Sequence, residues 1–133
     1  MSQADFELFY KRQFTQPDRN LKRFEHLCWQ DPKLISRPAL SLVDPTYRPQ
    51  HLMWGLDALA QLNNHYAVDQ VHTPQLHLFA SHDALVPIQS HYQFQLRWPH
   101  IRSELVPGSH AFPVQHPKKV TRIIQSFWDA HHV

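Results

Sequence analysis

The 133-residue chain predicts an α/β fold: a helical first half, then strand, helix, strand, helix with the two strands parallel. Two observations carry this prediction. Up to about residue 70, apolar residues recur at helical spacing behind polar capping residues. Beyond it, two short β-like runs, "PQLHLFA" and "IRSELVP", are each followed by a segment of helical period. The expected division is a helical region over 1–70 and an α/β segment over 71–133.

The elements follow in order. "SQADFELFYKRQF" opens with Ser2 and Asp5 in an S-x-x-D arrangement, whose side chains can satisfy amides at a helix start. "TQPDRNLKRFEHLCW" repeats that logic, with Thr15 as cap and Pro17 in the first turn. Leu21, Phe24, Leu27 and Cys28 share one face of this helix, and Arg19, Lys22, Arg23 and Glu25 the other. Pro32, Pro38, Pro45 and Pro49, with no glycine among them, interrupt any long helix between residues 31 and 49. A third helix is predicted over about 50–62, with Leu52, Leu56, Leu59 and Leu62 on one stripe.

In the second half, residues 74–80 read as an apolar strand, and residues 87–98 as a helix with Pro87 at its first position. Residues 101–107 alternate like a second strand. The last helix, "HPKKVTRIIQSFWDAHH", sets Val120, Ile123, Ile124, Phe127 and Trp128 in one stripe. Such a series implies parallel neighbours joined by a right-handed crossover. A parallel sheet needs both faces covered and normally several strands, so these two read as the edge of a larger sheet whose other strands are not in this chain.

Composition narrows the function. With 13 Lys and Arg against 11 Asp and Glu, the formal charge is +2, too little for a protein that binds by neutralising phosphates, and no nucleic-acid partner is expected. One cysteine, Cys28, cannot form an internal disulfide. No targeting leader and no membrane span is read, which gives a soluble, cytoplasmic expectation without a membrane partner. Twelve histidines raise a metal hypothesis. There is no H-E-x-x-H, however, and the five-residue spacing of His72, His77 and His82 scatters them on a helix and alternates them on a strand, so no metal site is expected.

"SHDALVP" follows the first strand and "PGSHAFP" the second. Asp83 and His110 therefore lie just beyond the carboxyl ends of adjacent parallel strands, where open α/β sheets place their ligand sites. An acid there can accept a hydrogen bond from imidazole Nδ1, leaving Nε2 to take a proton from a nucleophile.

An apolar strand, "D-x-L-V-P", a second strand ending in "G-S-H" and a closing amphipathic helix resemble the C-terminal part of the α/β-hydrolase superfamily. There the acid follows one late strand and the catalytic histidine the next. The resemblance implies that Asp83 and His110 are catalytic, with Gly108 at the glycine often found two residues before the histidine. The preceding helices, with "FEHLCWQD" and "GLDALAQL", look like the cap of the pimeloyl-acyl-carrier-protein methyl ester esterases of biotin synthesis. Those enzymes need no cofactor. Their caps present basic residues to an acidic carrier protein, which gives Lys11, Arg12, Arg19, Lys22 and Arg23 a meaning beyond a solvated helix face.

One departure matters. The family's nucleophile sits in G-x-S-x-G, but Gly55 and Gly108 are the only glycines, and neither Ser81 nor Ser109 has flanking glycines on both sides. The implied reading is an ester hydrolase's cap and C-terminal portion, inactive without a nucleophile-bearing N-terminal half or complementary chain. A C–C bond hydrolase or thioesterase fragment, or a non-catalytic interaction module, is the alternative. Ser109 and His82 are expected to shape their loops, and Phe6, Phe9, Tyr10 and Phe14 to pack in the core or cap.

Overall fold

A computed structural model describes residues 2–30 and 49–131. The expected interruption by Pro32, Pro38 and Pro45 lies outside them. The described elements are α1 (Gln3–Thr15), α2 (Pro17–Trp29), α3 (Pro49–Gln61), α4 (His65–Gln70), β1 (Leu76–Ala80), α5 (Ile88–Arg97), β2 (Arg102–Val106), α6 (Phe112–Gln115) and α7 (Pro117–Asp129). They form two compact units. One takes the described residues up to His26 together with 49–72; the other takes Leu27–Gln30 and everything from Thr73 onward.

In the helical unit, Ser2 caps α1: its Oγ accepts from the Asp5 amide at 3.2 Å and donates to Asp5 Oδ2 at 2.6 Å. That hydrogen bond holds the exposed Asp5 carboxyl below its usual range. Thr15 is not the cap of α2. It completes α1, because the Gln16 amide still donates to the Arg12 carbonyl, and α2 begins directly at Pro17. Phe9 packs on Phe24 with ring centroids 5.6 Å apart, joining α1 to α2. Tyr10 Oη donates to Asp57 Oδ1 at 2.7 Å, joining α1 to α3 and raising the phenol's pKa. Of the α3 stripe, Leu52 and Leu56 are half-buried, but Leu59 and Leu62 are exposed. Pro49 opens α3 and does not break it. Helix α4 has no apolar stripe to announce it; its start is marked by Asn63 Oδ1 accepting from the His65 amide.

In the second unit, β1 and β2 pair in parallel, Leu76 opposite Arg102 through Ala80 opposite Val106. The alternation of the strands sends His77, Phe79, Ser103 and Leu105 to one face. Helix α5 covers that face. Phe94 lies 4.3 Å from the His77 ring and 5.6 Å from the Phe79 ring, and His91 Nε2 is 3.3 Å from Ser103 Oγ. Pro87 is the N-cap of α5, one position earlier than its expected place inside the helix. Ala80, Phe94, Trp98, Ile101, Val106 and Val120 form the core with Cys28 and Trp29 from the end of α2. Only half of the α7 stripe is covered: Val120 is buried, whereas Ile124 and Trp128 are about half exposed, at 49% and 56%. The four-residue α6 has no periodicity to announce it; Pro113 sits in its first turn.

Candidate active site: an aspartate–histidine pair beyond the strand ends

Pairing does not stop where β1 and β2 end. The Ser81 amide donates to the Val106 carbonyl at 2.9 Å, and the His82 amide to the Gly108 carbonyl at 3.0 Å. These two bonds carry the loops side by side past the sheet. Asp83, the residue after His82, and His110, two residues beyond Gly108, therefore meet. His110 Nδ1 lies 2.8 Å from Asp83 Oδ2.

Each partner is held in its own way. Asp83 Oδ1 accepts from the amides of Leu85 at 2.8 Å and Val86 at 2.9 Å, a turn closed by the aspartate's own side chain. The Asp83 side chain is 5% exposed and that of His110 is 42% exposed. A carboxylate has only acceptors, so the proton between the pair sits on Nδ1, which leaves Nε2 as the ring's outward nitrogen. Among the described residues the arrangement supplies an oriented base with a buried acid behind it.

His110 is positioned from farther away. A helix leaves its last carbonyls without intrahelical donors, and at the end of α2 the loop after β2 supplies them. The Cys28 carbonyl accepts from Ser109 Oγ at 2.7 Å and from the Ala111 amide at 3.1 Å. The Trp29 carbonyl accepts from Gln115 Nε2 at 3.1 Å, while Gln115 Oε1 accepts from the Ser109 amide at 2.8 Å. Gln30, just past the helix, takes the left-handed conformation at φ 52° that often ends helices. Ser109, at 3% exposure, is thus committed to a backbone carbonyl. Gly108 has φ 119°, and a Cβ there would lie 2.6 Å from Gln115 Oε1, so the turn before His110 needs glycine for both conformation and space.

Gln115 is the residue that pattern reading misses. It ends the four-residue α6, which has no periodicity, and one of its two partners, Trp29, is 86 positions away in sequence. His82 uses its amide for the loop pairing, and its ring Nδ1 lies 2.7 Å from Ser81 Oγ at the surface.

The basic group divides. Arg12 from α1 and Arg19 and Arg23 from α2 line one cleft of about 430 Å³ with Gln16 and Asn20. Lys11 and Lys22 are exposed and do not line it. Among the described residues no three His, Cys, Asp or Glu side chains gather as a metal site would require, and no helix is long and apolar enough to cross a membrane.

No family model matches the chain. It is similar to the biotin biosynthesis bifunctional protein BioHC of Teredinibacter turnerae, with 27% identity over 133 residues. The match covers 96% of this chain and 23% of that protein, so the chain spans about a quarter of the relative's length.

Proposed function

We propose that Asp83 and His110 are the acid and base of a serine ester hydrolase that acts in biotin synthesis, most like a pimeloyl-acyl-carrier-protein methyl ester esterase. The observation that carries the proposal is the 2.8 Å contact between His110 Nδ1 and Asp83 Oδ2, with Oδ1 fixed by two amides. A base so oriented takes the proton of an attacking hydroxyl on Nε2 and returns it to the leaving alcohol, while Asp83 stabilises the imidazolium that forms between the two steps. The similarity to a biotin-synthesis protein supports the choice of pathway.

The chain contains no G-x-S-x-G, and Ser109 is buried and bonded to a carbonyl. In this reading the nucleophile and the oxyanion-binding amides come from a polypeptide outside these 133 residues. Arg12, Arg19 and Arg23, with Lys11 and Lys22 around them, receive the acidic surface of the carrier protein that bears the ester.

The test is hydrolysis of a short p-nitrophenyl ester by the chain alone and after mixing with a segment bearing a strand followed by G-x-S-x-G. Turnover that appears only in the mixture, and disappears with His110→Ala, supports the proposal. Turnover by the chain alone that depends on His110 contradicts the outside nucleophile. Assembly with the second segment without turnover assigns the chain to a non-catalytic partner role, which the part-covered α7 stripe and two-stranded sheet also fit.

A further inference from the structure

A second feature lies in the helical unit and owes nothing to Asp83 or His110. A cavity of about 230 Å³ sits among α1, α2 and α3, walled by Phe9, Phe24, Leu52 and Leu56, with Gln13 and Gly55 also on its lining. Among the described residues no Lys, Arg, Asp or Glu lines it, and His51 is the one titratable side chain there.

Two independent observations point to a ligand. Gln13 is 3% exposed. Its Oε1 accepts from Asn20 Nδ2 at 2.9 Å, but its Nε2 has no hydrogen-bond partner among the described residues. Buried donors without acceptors are uncommon because each has given up water for nothing. Here the unpartnered donor belongs to the one amide among the described lining residues, whose other members are apolar apart from His51. Gly55 is the second observation. It lies inside α3, where glycine is less favourable than alanine. It has no positive φ, and no described residue comes within 4 Å of a Cβ built on it, so neither conformation nor packing among the described residues requires glycine there. Gly55 is exposed and lines the cavity, so a side chain there would enter open space at its rim.

We propose that this cavity binds a small neutral apolar molecule, or the end of a chain, carrying one carbonyl oxygen that accepts a hydrogen bond from Gln13 Nε2. Its size sets the ligand's. An engineered apolar cavity of about 150 Å³ holds benzene, so this one holds on the order of nine non-hydrogen atoms. The described lining, apolar apart from Gln13 and His51, suits a ketone, ester or amide better than a carboxylate.

The experiment uses the full chain and two probes of equal shape, acetophenone and α-methylstyrene, which differ by C=O against C=CH₂. Binding is followed by NMR at the Gln13 side-chain amide. The expected result is saturable binding of both, with acetophenone about fivefold or more tighter and shifting the Gln13 NH₂ signals. Gln13→Leu removes that preference and leaves α-methylstyrene binding in place. Gly55→Leu fills the cavity, keeps or raises the melting temperature, and weakens both probes at least about tenfold. Failure of either probe to saturate at the Gln13 signals overturns the proposal. So does unchanged binding in a folded Gly55→Leu chain, or a ketone preference that survives Gln13→Leu. If Gln13→Leu does not fold, the Gln13 signals and Gly55→Leu still decide.

Discussion

The loop after β1 and the loop after β2 reach the same point in space by opposite means. The first is closed by Asp83 itself, whose Oδ1 takes amides two and three residues away. The second is fastened through Ser109, Ala111 and Gln115 to the end of α2, and the Ser109 bond alone spans 81 positions. The acid's place is therefore a local property of its turn. The base's place depends on a distant helix end being delivered to it, and changes there act on His110 without touching it.

The largest expected effect separates the pair's chemistry from its fold. In the assembled enzyme, Asp83→Asn keeps an oxygen for the Leu85 and Val86 amides but turns a donor toward Nδ1, which forces the imidazole proton onto Nε2. The turn survives, and the turnover rate falls about 10⁴-fold. A fall of less than tenfold would remove Asp83 from the mechanism. Asp83→Ala strands the two amides as well, so it adds local opening, visible as faster hydrogen exchange at Leu85 and Val86.

The second loop is expected to respond through stability. Gly108→Val meets both a left-handed backbone and the Gln115 side chain, and should destabilise the chain by about 2–4 kcal/mol in urea unfolding. Ser109→Ala leaves the Cys28 carbonyl with the Ala111 amide and costs less, about 1 kcal/mol. If Gly108→Val and Ser109→Ala are both neutral, the fastening to α2 does not hold the loop, and the contrast between the two loops fails.

These differences explain what could be read from the sequence. Asp83 and His110 were legible because each stands a few residues beyond a short β-like run, and strand ends in a parallel sheet are brought together by the ladder itself. The cap at Ser2 and the parallel pairing were legible for the same reason: their causes lie within a few residues. Thr15 was misplaced because the continuation of α1 to its own last carbonyl-bonded turn outweighed the capping pattern of the next helix. Leu59, Leu62, Ile124 and Trp128 have helical spacing, but spacing says which face is apolar and not whether anything covers it. Gln115 carried no signal because its bond to Trp29 spans 86 positions, and Gln13 none because a donor without a partner leaves no pattern in sequence.

The smallest effect concerns pH. Burial against α5 lowers the His77 pKa from its usual 6.5. The unfolded chain then binds the proton more readily than the folded one, so the stability that His77 contributes is complete above pH 6.5 and is lost as pH falls toward the lowered folded value. The part-exposed ring keeps the change modest. The urea midpoint should drop between pH 7.5 and 5, and His77→Leu should flatten that part of the slope. An unchanged slope in the variant would assign the pH dependence to another histidine.

The most direct test is ¹⁵N NMR of the His110 imidazole in the full chain at a pH where the ring is neutral. The Asp83 contact predicts a proton on Nδ1, with a hydrogen-bonded signal that moves to Nε2 in Asp83→Asn. A ring already protonated on Nε2 in the unsubstituted chain, or one indifferent to Asp83→Asn, would contradict the pairing on which the proposed chemistry rests.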